Sequence, residues 1–213
     1  GKQPGKGHVM RCVDTDGDGV ADQFTKVTDV RFPRGLFYDN GQLWVQHPPT
    51  VTLYTDKDGD GVADESKDIV TGISTEMNEK RGADHTTNGM RMGIDGWLYI
   101  ATGDFGFVNA TGTDGKSVQL YGGGVTRIRP DGSEVEVYAR GLRNICDVAV
   151  DPYMNIFARD NTNDGGGWDV RLHHVFGGGA EHGYPSYYKN FADEHIHPLA
   201  DYGGGSGTGA LYI

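Results

Sequence analysis

An all-β fold of the β-propeller type is predicted by three features of this 213-residue chain. An acidic segment, Asp14-Thr15-Asp16-Gly17-Asp18-Gly19-Val20-Ala21-Asp22, recurs as Asp56-Lys57-Asp58-Gly59-Asp60-Gly61-Val62-Ala63-Asp64, 42 residues on and differing only at its second position. A period of 40 to 45 residues is the length of one four-stranded propeller blade. A strand-turn-strand phrase recurs as well, at 35–45 and 89–100 and more loosely at 146–158. Apolar residues spaced for a helix of ten residues or more are almost absent, which disfavours an alternation of strands and helices.

Taken in order, the first elements flank the acidic loops: strands at His8 to Val13 and Gln23 to Val27 around the first, and at Val51 to Thr55 and Ser66 to Val70 around the second. Between them lies a hairpin from Gly35 to Val45 that turns on Asp39-Asn40-Gly41. The stretch from Asp84 to Asp104 holds the next. Met90 and Met92 alternate with polar or small residues, Asp95-Gly96 predicts a type I′ turn, and Trp97 to Ala101 reads as a strand. Phe105 to Gly123 is polar and Gly-rich and is predicted as a long inserted loop. A further hairpin, Gly124 to Tyr138, turns on Pro130-Asp131-Gly132, and another blade begins near Arg143. Beyond Arg159 the chain reads as loops. The expectation is one domain over 1–213: a partial blade, two full blades and part of a fourth, from a longer chain that closes the ring.

Composition narrows the function classes. Gly accounts for 35 of 213 residues, more than twice the usual share of about 7%, as tight turns between short strands require. The net charge of −11 argues against nucleic acid or an anionic membrane surface as partner and is compatible with cation binding. Cys12 and Cys146 are too few for a disulfide framework and read either as buried free thiols or as one bridge. No apolar run approaches the roughly 18 residues of a membrane-spanning helix.

Three groups of residues carry candidate chemistry. Antiparallel strands joined near Asp95 bring His85 and Asp104 to one sheet edge, where an imidazole beside a carboxylate makes a general base with its orienting partner. A surface histidine near a turn aspartate is the plainer alternative. The acidic loops place carboxylates at positions 1, 3, 5 and 9 with glycine at 6, the first part of a calcium loop, so Asp14, Asp16, Asp18 and Asp22, and Asp56, Asp58, Asp60 and Asp64, are candidate Ca²⁺ ligands. Thr25 and Lys67 stand where such loops carry a bidentate Glu, so weak sites are expected. The plain alternative is an Asp/Gly turn without an ion. His173, His174, His182, His195 and His197 match no zinc spacing and are expected to be solvent-exposed. Trp44 and Trp97 occupy matching positions and are expected to be packing residues.

The order of these motifs resembles the soluble quinoprotein glucose/sorbosone dehydrogenases, and looks closest to their membrane-bound, PVC-type relatives of planctomycete and verrucomicrobial kind. Asp84-His85, Gly93, Asp95, Tyr99 and Gly103-Asp104 fall in register with that family's catalytic hairpin. Gly141-Leu142-Arg143-Asn144 resembles its Gly-His-Arg-Asn, and Asp160 to Asp169 with Gly183-Tyr184-Pro185 is similar to its calcium-carrying loop. The resemblance implies a six-bladed propeller holding pyrroloquinoline quinone (PQQ) and Ca²⁺. It implies His85 as general base, Asp104 as its orienter, and Arg143 as stabiliser of charge on the quinone. Arg143, Asn144, Asn161 and Thr162 would contact the cofactor and Asp84 the substrate. Leu142 replaces a histidine, Asn161-Thr162 a Gly-Pro pair, and Pro33 a substrate-binding glutamine, so glucose is not carried over as the substrate. The expected activity is oxidation of a sugar or alcohol in the periplasm or outside the cell, with a c-type cytochrome as electron acceptor. The alternative is a non-catalytic, calcium-stabilised propeller acting as a binding module. A calcium-dependent lactonase is a third reading, disfavoured because its acidic ligands should converge on the axis.

Overall fold

A computed structural model describes residues 6–185 and 187–213. The chain is a partial β-propeller: four sheets follow one another along the sequence, each packed face to face on the next. β1 (Lys6–Val13) and β2 (Gln23–Arg31) form an antiparallel pair that carries the first acidic loop at its tip, where Val13 faces Gln23. β3 (Gly35–Asp39), β4 (Gln42–His47), β5 (Thr50–Thr55) and β6 (Glu65–Thr71) form a meander with the second acidic loop between the last two strands. A short helix, α1 (Met77–Arg81), and a 3₁₀ turn at Ala83–His85 lead into β7 (Thr87–Met92) and β8 (Leu98–Thr102).

The segment expected to be a loop, Phe105 to Gly123, is a hairpin instead. β9 (Phe107–Gly112) and β10 (Ser117–Leu120) pair with each other, and β9 adds to β6, extending the preceding sheet to six strands. Its polar residues lie on solvent-facing edges, while Phe107, Ala110 and Leu120 are buried in the core. Alternation over so few apolar residues is a weak strand signal in sequence. β11 (Gly123–Ile128) and β12 (Glu136–Leu142) complete the next blade.

The last sheet is built from β13 (Ala149–Val150), β14 (Ile156–Arg159) and β15 (Arg171–Val175), with the short β17 (Ala200–Asp201) at its edge. β15 lies in the region expected to be loop. Between these strands, β16 (Ala180–Glu181) runs parallel to β12 and ties the chain back to the preceding blade.

β8 shows how one strand serves two interfaces. Leu98 and Ile100 pack into the core shared with the six-stranded sheet, whereas Tyr99 and Ala101 pack towards the last sheet. Period-two alternation with both faces apolar is what a blade between two neighbours requires. The glycines that open the repeated phrase also have a reason. A Cβ on Gly35 would lie 2.4 Å from the Asn88 carbonyl oxygen, and one on Gly89 would lie 2.5 Å from Asp147 Oδ1. These glycines let the innermost strands of successive blades approach at backbone distance.

The turns divide. Asn40 and Gly41 have φ of 45° and 75°, the two positive values a type I′ hairpin needs. Asp95-Gly96 does not form that turn. The Gly96 N–H donates to the Gly93 carbonyl at 3.0 Å and only Gly96, at 76°, has positive φ. This is a longer loop closed by one left-handed glycine, with the Asp95 carboxylate spent on the Tyr99 hydroxyl at 2.7 Å. Cys12 is exposed and Cys146 half-buried, and both thiols are free.

Candidate active site

The ends of β7 and β8 nearest the 3₁₀ turn gather the titratable residues. The His85 carbonyl accepts the Phe105 N–H at 3.0 Å and the Thr86 carbonyl accepts the Gly103 N–H at 2.7 Å. A Cβ on Gly103 would lie 2.6 Å from the His85 carbonyl oxygen, so glycine alone permits this closure. The result brings His85 Nδ1 to 2.5 Å from Asp104 Oδ1, with the side chains 23% and 19% exposed. A carboxylate only accepts, so Nδ1 carries the proton, and in the neutral ring Nε2 holds the lone pair. Phe105 stacks on the imidazole with ring centroids 5.1 Å apart and carries the Arg81 guanidinium on its ring at 5.4 Å. In sequence Phe105 only opens a polar segment, and nothing there marks it as part of the site.

Arg143 and Asn144 reach the same place from the end of β12. Asn144 Nδ2 donates to the Asp84 carbonyl at 3.2 Å. The Tyr184 hydroxyl is bonded to the Arg143 side chain and senses the charge of Asp104; burial, the largest influence, raises its pKa above the usual tyrosine value. Arg143 Nε is buried without a partner. A buried guanidinium donor facing no acceptor is a position where an anionic or carbonyl-bearing ligand is accommodated at little further cost.

Asp160, fully buried, holds this turn in place. Its carboxylate accepts N–H bonds from Arg143 at 3.0 and 2.8 Å, from Asn144 at 3.0 Å, from Asn161 at 2.8 Å, and from Trp168 Nε1 at 2.9 Å. Burial pushes its pKa up to about 6 against the pull of these donors. Nothing in the sequence marks Asp160 as a brace, because its partners lie 17 and 16 residues upstream in no recognisable spacing. Asn161 and Thr162 follow it directly. The Asn161 side chain accepts the Thr162 N–H at 2.9 Å, and Thr162 Oγ1 donates to the Trp168 carbonyl at 3.1 Å. Their loop is closed on itself beside Arg143.

Asp84 lies on the rim of an adjoining cleft of about 450 Å³, lined also by Pro33, Arg34, Arg81 and Ala83. A cleft of about 520 Å³ opens elsewhere, between β1–β2 and the six-stranded sheet, and includes none of the His85 group.

The acidic loops are separate from this centre. Ligand oxygens of Asp14, Asp16 and Asp18 lie within 4.8 Å of one another, as do those of Asp56, Asp58 and Asp64. Asp22 is turned to the Thr15 hydroxyl at 2.6 Å, and Asp60 to the Val62 N–H at 2.7 Å. The N–H groups of Gly19 and Gly17 hold the Asp14 carboxyl below the usual carboxylate range.

The histidines do not all follow the solvent-exposed expectation. His197 is exposed and His174 and His195 are half-buried, but His173 and His182 are fully buried. The reason is β15, where pairing of Ala158 with His173 turns that imidazole inward, on the same side of the strand as Val175. Burial depresses His173 to about 3 and His182 to about 4. Both bind a proton more readily in the unfolded chain, so stability is full above their unfolded value near 6.5 and falls as pH drops towards 4 and then 3. Asp160 acts in the opposite sense between 3.8 and about 6, but its shift is smaller than the two histidine shifts together. We expect the melting temperature to fall steeply between pH 6.5 and 4, and His182→Phe to flatten that slope; an unchanged slope would contradict the burial of a neutral imidazole.

This arrangement is that of an all-β, propeller-type chain with an imidazole-carboxylate pair and a braced arginine at one end of its inner strands. The chain belongs to the family of the domain of unknown function DUF7133, whose model matches residues 1–199. No curated protein matches it. Among solved structures it is similar to two chains of carbohydrate-active enzymes family AA12 from Trichoderma reesei. The iodide structure matches at 16% identity and a TM-score of 0.60, and the calcium structure at 14% and 0.54, each over 83% of this chain and 50% of that one. The chain therefore spans half the length of those proteins. The PQQ-bound aldose sugar dehydrogenase of Streptomyces coelicolor matches at 16% identity over 98% of this chain and 77% of that one, with a TM-score of 0.42.

Proposed function

We propose that the protein is a PQQ-dependent dehydrogenase that oxidises a sugar or alcohol, with His85 as general base. The observation that carries the reading is the joint placement of the His85–Asp104 pair and the braced Arg143, whose buried Nε lacks a partner. The likeness in fold to carbohydrate-active enzymes of family AA12, one solved with calcium, agrees with a sugar substrate and with Ca²⁺. PQQ, when bound, supplies the hydride acceptor, and Ca²⁺ beside it polarises that acceptor.

This chain's own residues do the rest. Nε2 of His85 takes the proton from the substrate hydroxyl, and Asp104 holds the ring in the tautomer that makes this possible. Asp84, on the rim of the adjoining cleft, receives substrate hydroxyls. Arg143 and Asn144 hold the cofactor, with Asn161 and Thr162 beside them, and Asp160 fixes the turn that presents them. Phe105 covers one face of the imidazole and keeps water from it. Electron transfer onward to a c-type cytochrome and residence in the periplasm or outside the cell complete the reading. The test is dye reduction by the intact protein with PQQ, Ca²⁺ and a panel of sugars and alcohols; turnover supports the reading, and folded protein that neither binds PQQ nor turns over refutes it.

The acidic loops take Ca²⁺ in a structural role. Hard oxygen ligands crowded within 4.8 Å repel one another until a cation enters. Adding millimolar Ca²⁺ to calcium-free protein is expected to raise its melting temperature by several degrees, and Asp14→Asn with Asp56→Asn to abolish the rise. An unchanged melting temperature would remove calcium from these loops.

A further inference from the structure

We propose that His173 and His182 form the core of a site for a borderline divalent transition-metal ion of the Zn²⁺ class, with His195 as its third ligand. The two imidazoles are fully buried, and all four of their ring nitrogens lack a hydrogen-bond partner. Buried polar groups without partners are few in folded proteins and each costs free energy. A pair of them in contact calls for a ligand that both can share.

The geometry suits a metal. The ring centroids lie 5.2 Å apart, with the planes at 88°. For a tetrahedral ion with Zn–N of about 2.0–2.1 Å, each ring centroid lies about 3.2 Å from the metal and two ligating rings lie about 5.2 Å apart. The separation is therefore that of two rings sharing one ion. The ion takes an unprotonated ring nitrogen from each imidazole.

His195 stands next to the pair. Its ring lies against Gly183, the residue after His182, such that a Cβ there would meet His195 Cδ2 at 2.9 Å. Its Nδ1 is tethered to the Phe191 carbonyl at 3.3 Å, which leaves Nε2 for an ion. The nitrogens of the three rings do not all lie within 4.8 Å of one another, so the site requires His195 to turn towards the pair. The exposed His197, with its ring centroid 4.8 Å from that of His195, marks the way in from solvent. Arg171, which lies on the Trp168 ring at 4.1 Å, has its positive charge paired with Asp201 at 3.3 Å. Nitrogen donors select Zn²⁺, Co²⁺, Ni²⁺ or Cu²⁺ over Ca²⁺, so this site is chemically distinct from the acidic loops. Trp168, stacked on His173 at 5.8 Å and bonded to Asp160, separates it from the Arg143 turn.

The experiment is a Co²⁺ titration of metal-free intact protein followed by visible absorption, with Zn²⁺ as competitor. The expected result is one ion per chain, the intense ligand-field bands of a tetrahedral site, and displacement by Zn²⁺ but not by Ca²⁺. His173→Phe and His182→Phe keep a ring of similar size and remove the donors. Each is expected to lose the bands and to melt, without metal, no lower than the wild type, because an unpaired polar group has been replaced by an apolar one. His195→Ala, at a half-exposed position that tests the site without touching the core, is expected to weaken Co²⁺ binding at least tenfold. Wild-type protein without tetrahedral bands, or Phe variants that bind with unchanged stoichiometry and affinity, would overturn the proposal.

Discussion

His85→Ala is expected to lower kcat by about 10²–10⁴-fold while leaving PQQ affinity nearly unchanged, since a positioned general base contributes rate rather than cofactor binding. The imidazole spends its Nδ1 on Asp104 and one face on Phe105, whereas the amides of Arg143 and Asn144 are held by Asp160. Asp104→Asn sharpens the test. The amide fits the same space, but its NH₂ can donate to Nδ1, which moves the ring proton to Nε2 and removes the lone pair needed for proton abstraction. Both variants should therefore fold and bind cofactor yet turn over slowly. Wild-type kcat in His85→Ala would exclude this residue as the base.

Asp160→Ala is expected to destabilise the protein by about 3 kcal/mol or more, because it strands the N–H groups of Arg143, Asn144, Asn161 and Trp168 in a buried setting. Cofactor affinity should fall with it, as the Arg143-Asn144 turn loses the carboxylate that accepts its amides. The measurement is a denaturant melt beside a PQQ titration of the folded fraction. A melt within about 0.5 kcal/mol of wild type, in the range of an ordinary surface change, would show that Asp160 is no brace.

The propeller is legible in the sequence because its signals are local. The duplicated acidic loop and the Gly35 and Gly89 phrases each fall within a dozen residues, and their period gives the blade length without knowledge of any contact. The His85–Asp104 pair is legible for the same reason, since a hairpin brings its own two ends together. The departures arise where contacts outside the motif decide the structure, most of them distant along the chain. The hairpin at Phe107–Leu120 reads as loop because its register is set by β6, from Val70 to Gly112. The Asp95-Gly96 turn differs from the expected type because dipeptide preference is outweighed by the bond between Asp95 and Tyr99. Asp160 and the buried face of His173 escape a sequence reading because their partners come from other blades or from a strand whose polar sequence, Arg171-Leu172-His173-His174-Val175, hides its inward side.

The central claim is a quinone pocket formed by Arg143 and Asn144 beside His85. The measurement that tests it most directly is an equilibrium titration of the intact protein with PQQ in the presence of Ca²⁺, followed by absorbance and repeated with Arg143→Ala. Saturable binding at one PQQ per chain, weakened at least tenfold in the variant, is the predicted result. Folded wild-type protein that does not bind PQQ, or an Arg143→Ala variant that binds it as tightly as the wild type, would contradict the claim.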